Sequence, residues 1–134
     1  MPSRDVLTDI TTAALERSMS GLHTRQNAVA DNIANVETPG YKAKQVLFEE
    51  NLASAIAAER STGPGSSQAR GLVEAVQPQT EDREEAWRRD GNSVNIETEM
   101  VEAAKTSAHY KMLARLLAKK FRMLRSAMNG GGSQ

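Results

Sequence analysis

The C-terminal third of the chain carries the stretch that decides the fold: residues 96–128 read IETEMVEAAKTSAHYKMLARLLAKKFRMLRSAM. Small and apolar side chains recur along it at alternating spacings of four and three, the period of a helix that packs against another helix. The members of this series are Ile96, Met100, Ala103, Ser107, Tyr110, Ala114, Leu117, Phe121, Leu124 and Met128. Since the series continues without a slip for about four heptads, it predicts one long amphipathic helix with a coiled-coil-like seam.

The later half of this helix carries a second apolar stripe, formed by Leu113, Leu116, Met123 and Ala127. A helix with two apolar stripes needs two neighbours to cover them. For the first stripe, a core within one chain and a contact between subunits are equally open. The second stripe is expected to face another subunit, because the chain has too few other apolar residues to cover it.

The two ends of this helix carry residues of the types that favour a helix start and a helix end. Asn95 is expected to be the N-cap, with Glu97 and Glu99 in the first turn. Asn129 and Gly130 are expected to end the helix. Basic residues crowd the last turns, as the helix macrodipole favours; they are Lys119, Lys120, Arg122 and Arg125.

The N-terminal segment, from Asp5 to Asn35, also has the pattern of a helix. Gly21 weakens this helix by about 1 kcal/mol relative to alanine, or else marks a close helix crossing. Its seam comprises Leu15, Met19, Leu22, Val29 and Ile33, with Gln26 as the one polar member. The two long helices are expected to pair antiparallel.

A chain reversal follows the N-terminal helix. Asn35 suits a helix C-terminus because asparagine tolerates a left-handed backbone. Pro39 and Gly40 suit the two central positions of a type II turn, where the second position needs a positive φ. On the simplest interpretation these residues cap the helix and turn the chain. A further expectation is that the turn sets where each helix pair meets its neighbours, with Tyr41 and Phe48 as contact residues.

The middle of the chain has weaker patterns. We expect an extended or irregular run at 41–48, a short helix at 49–60, a flexible linker at 61–70, a brief strand at 71–76, and a charged stretch with the one tryptophan, Trp87, at 78–90. The predicted organisation is therefore an N-terminal coiled-coil helix and turn at 1–40, a connecting segment and short helix at 41–60, a flexible or irregular region at 61–93, a C-terminal coiled-coil helix at 94–129 and a flexible tail at 130–134. The fold class is mainly α, with a small irregular or β-containing middle segment.

Composition excludes several functional classes. Only 4% of residues are aromatic, which disfavours a large globular core, and the formal net charge is zero. The absence of cysteine excludes disulfides and thiolate metal sites. No secretory signal or membrane-spanning run is visible, so the chain is expected to be soluble or exported without a cleavable signal peptide.

Specific chemistry is equally absent from the residue patterns. Neither His23 nor His109 has the spacing of a metal ligand, and no nucleophile–base pair can be identified, so we predict no catalytic site, cofactor, metal or small-molecule substrate. The basic series Lys111, Arg115, Lys119 and Arg122 lies on one helix face without base-reading groups, so we predict a solvated or salt-bridged face and no nucleic acid partner.

Two motifs resemble a known family. The runs Ala30-Asp31-Asn32-Ile33-Ala34-Asn35 and Thr38-Pro39-Gly40-Tyr41-Lys42 resemble the N-terminal signature of the bacterial flagellar rod, hook and hook-associated axial proteins. The C-terminal half narrows the resemblance to the short proximal rod proteins, through Asp90-Gly91-Asn92-Ser93-Val94, Glu99-Met100 and the run from Leu117 to Ala127. The resemblance covers residues 3–50 and 90–128.

The resemblance implies a structural subunit of the rod in the flagellar basal body. Its implied partners are itself, other rod proteins, and membrane-ring and export-gate components at the base of the rod. The motif residues it marks are Asn32, Ile33, Ala34, Asn35, Thr38, Pro39, Gly40 and Tyr41. The residues expected at the assembly seam are Leu15, Met19, Leu22, Val29, Ile33, Met100, Tyr110, Leu113, Leu116, Leu117, Phe121, Met123, Leu124 and Met128.

Three alternatives are open at this point. A soluble coiled-coil adaptor or chaperone would form a small discrete oligomer and no polymer. An enzyme would need a pocket within residues 41–90. A different rod component would share the two motifs but occupy another place in the assembly.

Overall fold

The computed structural model describes residues 9–62, 67–85 and 88–130. Its elements in chain order are α1 (Ile10–Ala34), β1 (Lys44–Leu47), α2 (Glu49–Thr62), α3 (Ser67–Glu74), β2 (Gln79–Asp82) and α4 (Ile96–Gly130). Two long helices lie near the ends of the chain and one two-stranded sheet lies between them, which confirms the predicted mainly α class. The prediction for Trp87 falls outside the described residues, as do those for residues 1–8 and 131–134.

Helices α1 and α4 run antiparallel, as ion pairs and hydrogen bonds at both ends of the pair show. At one end, Nζ of Lys120 donates to the Asp9 carboxylate over 2.7 Å. At the other end, Nδ2 of Asn32 donates to the Glu99 carboxylate over 3.0 Å. Asp9 is also the N-cap of α1, because its carboxylate accepts hydrogen bonds from the backbone N–H groups of Thr11 and Thr12.

The face of α4 that packs on α1 lies beside the predicted seam. It keeps the four-and-three spacing but includes polar residues, and it comprises Glu99, Ala103, Thr106, Tyr110, Leu113, Leu117, Lys120 and Leu124. Leu113 therefore packs against the core instead of belonging wholly to a second stripe. Four predicted seam members are exposed in the single chain: Ile96 is 38% exposed, Met100 62%, Phe121 45% and Met128 74%.

The segment between the long helices forms a small head that packs on α1. Strands β1 and β2 pair antiparallel, with Lys44 opposite Asp82 and Leu47 opposite Gln79. Helices α2 and α3 pack against each other and on α1. The core that joins these elements contains Ala13, Leu22, Ala28, Val46, Phe48, Leu52, Ala55 and Val73.

Gly21 marks the position where α1 and the head approach each other closely. A Cβ at this position would lie 2.5–2.6 Å from three ring atoms of Phe48. Phe48 is 5% exposed and its ring also receives the Arg25 guanidinium, 5.0 Å from the ring centroid. The glycine that weakens α1 locally therefore makes room for the aromatic ring that attaches the head.

Two expectations for the middle of the chain are wrong. Residues 71–76 are not a strand, because α3 continues through Glu74. Ala69 and Val73 are both fully buried at helical spacing, and an ion pair between Arg70 and Glu74 supports the same turn. The linker predicted at 61–70 is helical where the structure describes it, since α2 includes residues 61 and 62 and α3 begins at Ser67.

Thr106 offers a direct test of the α1–α4 packing. Its side chain is 1% exposed, and Oγ1 has no hydrogen-bond partner among the residues that the structure describes. Replacing a buried, unpaired hydroxyl by a methyl group of the same shape removes a desolvation cost. We expect Thr106→Val to raise the free energy of unfolding by about 1 kcal/mol, measured by urea denaturation. The exposed Thr98→Val serves as the control, and a destabilised Thr106→Val would contradict the described packing.

Candidate functional site: the polar junction between the two motifs

The turn after α1 has the geometry that its sequence predicts. The backbone N–H of Tyr41 donates to the carbonyl of Thr38 over 3.3 Å, which closes a four-residue turn around Pro39 and Gly40. Gly40 has a φ of +71°, the conformation for which a glycine is favoured. The turn brings residues 41–47 back along α1, so the chain reverses within a few residues.

The second motif, which begins at Asp90, contacts this turn. Its central residue is Asn92, which lies 57 residues after Asn35. Asn92 is fully buried, and its Nδ2 donates to the carbonyls of Asn35 (3.0 Å), Val36 (3.2 Å) and Thr38 (2.7 Å). Its Oδ1 accepts from the backbone N–H of Val94 over 2.7 Å. One amide therefore contacts three carbonyls of the turn that follows α1.

Backbone hydrogen bonds also join the turn around Pro39 and Gly40 to the second motif. The N–H of Gly40 donates to the Asp90 carbonyl over 3.0 Å, and the N–H of Ser93 donates to the Tyr41 carbonyl over 3.0 Å. Gly91 has a φ of +83°, and a Cβ there would lie 3.5 Å from the Gly40 Cα. The two glycine-containing turns thus lie directly against each other, at the end of the molecule where α4 begins.

A buried polar cluster lies next to these two turns, between α1, β1 and α4. Asn32 and Glu99 are both 0% exposed. Glu99 accepts from Nδ2 of Asn32 over 3.0 Å and from the Arg83 guanidinium over 2.7 Å. A buried carboxylate is expensive unless it is paired and hydrogen-bonded, and this one is both.

Asn32 also satisfies the edge of β1. It accepts from the backbone N–H of Lys44 over 2.8 Å and donates to the Lys44 carbonyl over 2.8 Å. Arg25 donates to the Val46 carbonyl over 2.7 Å. Because the other edge of β1 pairs with β2, both edges of this strand are occupied, and helix side chains take the place of a further strand.

We name this arrangement the polar junction; its members are Asn32, Tyr41, Arg83, Asn92, Ser93 and Glu99. Partial burial raises the pKa of the Tyr41 hydroxyl, so the phenol is neutral at physiological pH and lies 3.4 Å from Oδ1 of Asn32. The junction holds α1, α4 and the hairpin in one register. It joins the three elements through hydrogen bonds and one ion pair.

The structure places the predicted motif residues in different roles. Asn32 is central to the polar junction, whereas Ile33 is half-buried and Ala34 is exposed. Asn35 does end α1, but with a φ of −106° and not in the left-handed conformation expected. Its Nδ2 donates instead to the Asp31 carbonyl over 2.8 Å, which satisfies the last turn directly. Phe48 is buried within the chain, so the expectation that it contacts a neighbouring subunit is wrong.

The predicted seam residues differ in how deeply they are buried in the single chain. In α1, Leu22 and Val29 are buried, and Leu15, Met19 and Ile33 are half-buried. The residues of α4 that are half-buried against the rest of the chain are Tyr110, Leu113, Leu117 and Leu124. The predicted seam residues of α4 that remain exposed are Met100, Leu116, Phe121, Met123 and Met128, and of these Leu116 and Met123 share one helix face.

Sequence reasoning did not single out Arg83, Asn92 or Glu99 as interacting residues. Asn92 and Glu99 belong to the motifs that carry the resemblance, and Glu99 is also expected in the first turn of α4, but the sequence indicates no partner for either. No helix within the described parts of the chain is long and apolar enough to cross a membrane. The same residues contain no cluster of three or more potential metal-binding side chains.

Among the residues that the structure describes, Asp9 and Glu49 are carboxylates whose pKa values lie below the ordinary range. For each, burial raises the pKa, but stronger opposing effects lower it overall. For Asp9 these are the hydrogen bond and charge of Lys120 together with backbone N–H donors. For Glu49 they include the hydrogen bond and charge of Arg25, whose NH1 lies 2.6 Å from Oε1.

A pH dependence of stability follows. Because the folded pKa values of Asp9 and Glu49 lie below the unfolded ones, the ionised carboxylates contribute stability above the unfolded pKa, and this is lost as the pH falls through the folded pKa. We expect a nearly constant melting temperature between about pH 7 and pH 5, and a fall below about pH 4. The double variant Asp9→Asn/Glu49→Gln should melt below the wild-type chain at pH 7. An undiminished difference at pH 3 would contradict this assignment.

Comparison with known proteins shows the family to which the chain belongs. The model of a family described as flagella basal body rod protein matches residues 15–42, which include most of α1 and the turn up to Lys42. The FlgB flagellar basal body rod protein of Cereibacter sphaeroides (strain ATCC 17023) is 32% identical over 114 residues, covering 80% of this chain and 84% of the relative. The chain belongs to the FlgB family. It is therefore a structural subunit of the flagellar basal body rod.

Other FlgB relatives match over nearly the whole chain. FlgB of Bacillus subtilis (strain 168) is 28% identical over 123 residues, covering 87% of this chain and 92% of the relative. FlgB of Salmonella typhimurium (strain LT2) is 28% identical over 123 residues, covering 80% and 84% respectively. Membership of the FlgB family confirms the resemblance drawn from the two motifs.

Proposed function

We propose that this rod subunit assembles helically with itself and with other rod proteins, and that the assembly transmits torque from the membrane ring towards the hook. The observation that carries the proposal is the outward face of α4. Large apolar side chains remain exposed along it at helical spacing: Met112 (53%), Leu116 (47%) and Met123 (57%). A regular series of exposed apolar residues on a long helix favours burial against other subunits.

The inward and outward faces of α4 would then have separate tasks. The inward face holds the single chain together, with the polar junction at one end and the Asp9–Lys120 ion pair at the other. The outward face is free for neighbours. Heterologous contacts between identical subunits generate an open helix when the rotation does not close, which is the geometry of a rod.

The division of the chain follows from this model. Helix α1 with the turn that follows it, together with α4, would form the assembling limb, and the described residues between 41 and 93 would form the head. The assembly seam combines the seam residues of α1 with those of α4. The motif residues Asn32, Asn35 and Thr38–Tyr41 set the angle at which limb and head meet.

Three parts of the proposal concern the cellular setting. The subunit lies in the periplasmic part of the basal body, and it reaches that place through the flagellar export apparatus without a cleavable signal peptide. Its partners include membrane-ring and export-gate components at the rod base. It needs no catalytic residue, cofactor, nucleic acid or small-molecule substrate, because the proposed task is mechanical.

A proline in α4 tests the role of this helix. Ala114 is half-buried in the middle of α4, and a proline there removes a backbone hydrogen bond and costs about 3 kcal/mol or more. We expect Ala114→Pro to fail to restore swimming or rod assembly to a deletion strain, while Ala114→Ser restores both. Normal swimming with Ala114→Pro would contradict the proposed role of α4.

The same strain separates the rod proposal from an adaptor or chaperone. Deletion of the gene should stop basal-body construction after the membrane ring and before the rod. The wild-type chain, supplied in trans, should then be recovered in purified basal bodies. A chain that restores assembly but stays outside the basal bodies would support the adaptor or chaperone instead.

A further inference from the structure

The charges of this chain are strongly segregated, although the formal net charge is zero. After Glu102, helix α4 contains no further acidic residue. Over the same stretch it carries seven basic residues: Lys105, Lys111, Arg115, Lys119, Lys120, Arg122 and Arg125. Among the residues that the structure describes, only Lys120 of these seven forms an ion pair, with Asp9. Most of this positive charge is therefore not neutralised within the chain.

Four of the basic residues are on the outward side of α4, beside exposed apolar side chains. Lys111, Arg115, Lys119 and Arg122 follow one another at four-and-three spacing, and all four are exposed. They line a shallow surface depression together with Met112 and Leu116, which are 53% and 47% exposed. We name this surface the basic stripe.

The head carries the opposite charge. Between Lys44 and Glu85 the sequence has eight acidic and four basic residues. The acidic residues at and after β2 are exposed: Glu81, Asp82, Glu84 and Glu85. Leu47, 45% exposed, lies on the same face of the hairpin as Glu81, because Gln45 pairs with Glu81 and Leu47 is two residues further along the strand. We name Leu47, Glu81 and Glu84 the acidic face.

The basic stripe cannot be covered by the acidic face of its own chain. The head packs on α1, and α4 also packs on α1, through its inward residues. The basic stripe lies on the opposite side of α4, so it points away from α1 and the head. A second copy supplies the missing surface. It brings acidic side chains to basic ones and an exposed leucine to the exposed Met112 and Leu116.

We propose that the basic stripe of one subunit docks on the acidic face of the next copy of the same chain. The inference rests on the proposed rod function and adds to it which two surfaces meet. Because the two surfaces differ, the contact is heterologous and can repeat from copy to copy. Charge complementarity fixes the register and disfavours a stripe-to-stripe dimer, in which like charges would oppose each other.

Charge reversal on each surface, with mixing, tests the contact. The purified full chain is studied by sedimentation velocity at 0.05 M and 0.5 M NaCl. We expect the wild-type chain to self-associate at low salt, and the association to weaken at high salt because exposed charges are screened. Arg115→Glu/Lys119→Glu should weaken self-association by at least about tenfold, as should Glu81→Lys/Glu84→Lys. The control Arg89→Glu/Lys105→Glu makes the same charge change at exposed positions away from the stripe and should associate like wild type.

Mixing the two reversed variants is the decisive step. An acidic stripe now meets a basic head, and a basic stripe meets an acidic head, so the mixture should associate although neither variant does alone. A mixture that stays monomeric overturns the proposal, as does a wild-type chain that is monomeric at low salt. Reversed variants that self-associate normally also overturn it, and if they fail to enter rods, the stripe binds a different rod protein. Recovery of the wild-type chain in basal bodies tests the rod function separately.

Discussion

Replacement of Asn32 by alanine is expected to lower the free energy of unfolding by about 3 kcal/mol. The side chain is completely buried and joins three elements, through Glu99 on α4, the backbone of Lys44 on β1 and the hydroxyl of Tyr41. Without it, the buried Glu99 carboxylate loses one of its two side-chain partners, and both backbone groups of Lys44 lose theirs. Urea denaturation of the purified chain measures the loss.

Two further variants separate this network from general helix effects. Asn27 lies on the same helix and is exposed, so Asn27→Ala should change stability by no more than about 0.5 kcal/mol. Asn32→Asp keeps the shape but replaces the donor by a second carboxylate facing Glu99, and should be at least as destabilising as Asn32→Ala. If Asn32→Ala unfolds at the same urea concentration as Asn27→Ala, the polar junction does not hold the fold together.

The substitution Gly21→Ala should destabilise the chain by about 2 kcal/mol, although alanine favours a helix by about 1 kcal/mol over glycine. The new methyl group would lie 2.5 Å from the Phe48 ring, which is buried and cannot move away without disturbing the head. The matched control is Gly71→Ala in α3, where a Cβ meets nothing within 4 Å. There the usual gain of about 0.5–1 kcal/mol is expected.

The two glycine substitutions are expected to change the free energy of unfolding in opposite directions. Thermal melting of both variants, of Phe48→Leu and of Gly21→Ala/Phe48→Leu measures the changes in stability. The smaller leucine should recover part of the loss, which gives a coupling energy between the two positions. Stabilisation of the chain by Gly21→Ala would mean that α1 and the head do not approach as closely as described.

The long helices were predictable because their signals are local and repeated. In α4 the four-and-three spacing continues over the whole element, and Asn95 does cap it, since the N–H groups of Glu97 and Thr98 donate to its side chain. The turn was predictable because Pro39 and Gly40 have strong backbone preferences. At every second position the buried face of α4 lies one residue before the predicted seam, because Glu99 and Thr106 are polar residues in that face and period alone does not reveal them.

The polar junction was not predictable, since its partners are far apart in sequence. Asn32 and Glu99 are 67 residues apart, and nothing local in either residue indicates the other. Strand β2 was missed because its four residues are all exposed and polar, so it has no alternating pattern. Helix α3 was taken for a strand because it is eight residues long and contains a glycine.

The polar junction and the outward face of α4 together suggest how a rod subunit combines rigidity with assembly. The junction fixes the register of α1, α4 and the hairpin through hydrogen bonds that a slip of either helix would break. The outward apolar and basic side chains stay available for neighbours. A load applied at one end of the helix pair would then pass along the pair and into adjacent subunits, instead of being lost in sliding between α1 and α4.

Cryo-electron microscopy of basal bodies purified from the source bacterium tests the central claim most directly. The account predicts density in the proximal rod that fits the antiparallel α1–α4 pair, with the outward face of α4 buried against neighbouring subunits. Rods that contain no copy of this chain, or copies in which Leu116 and Met123 still face solvent, would contradict it.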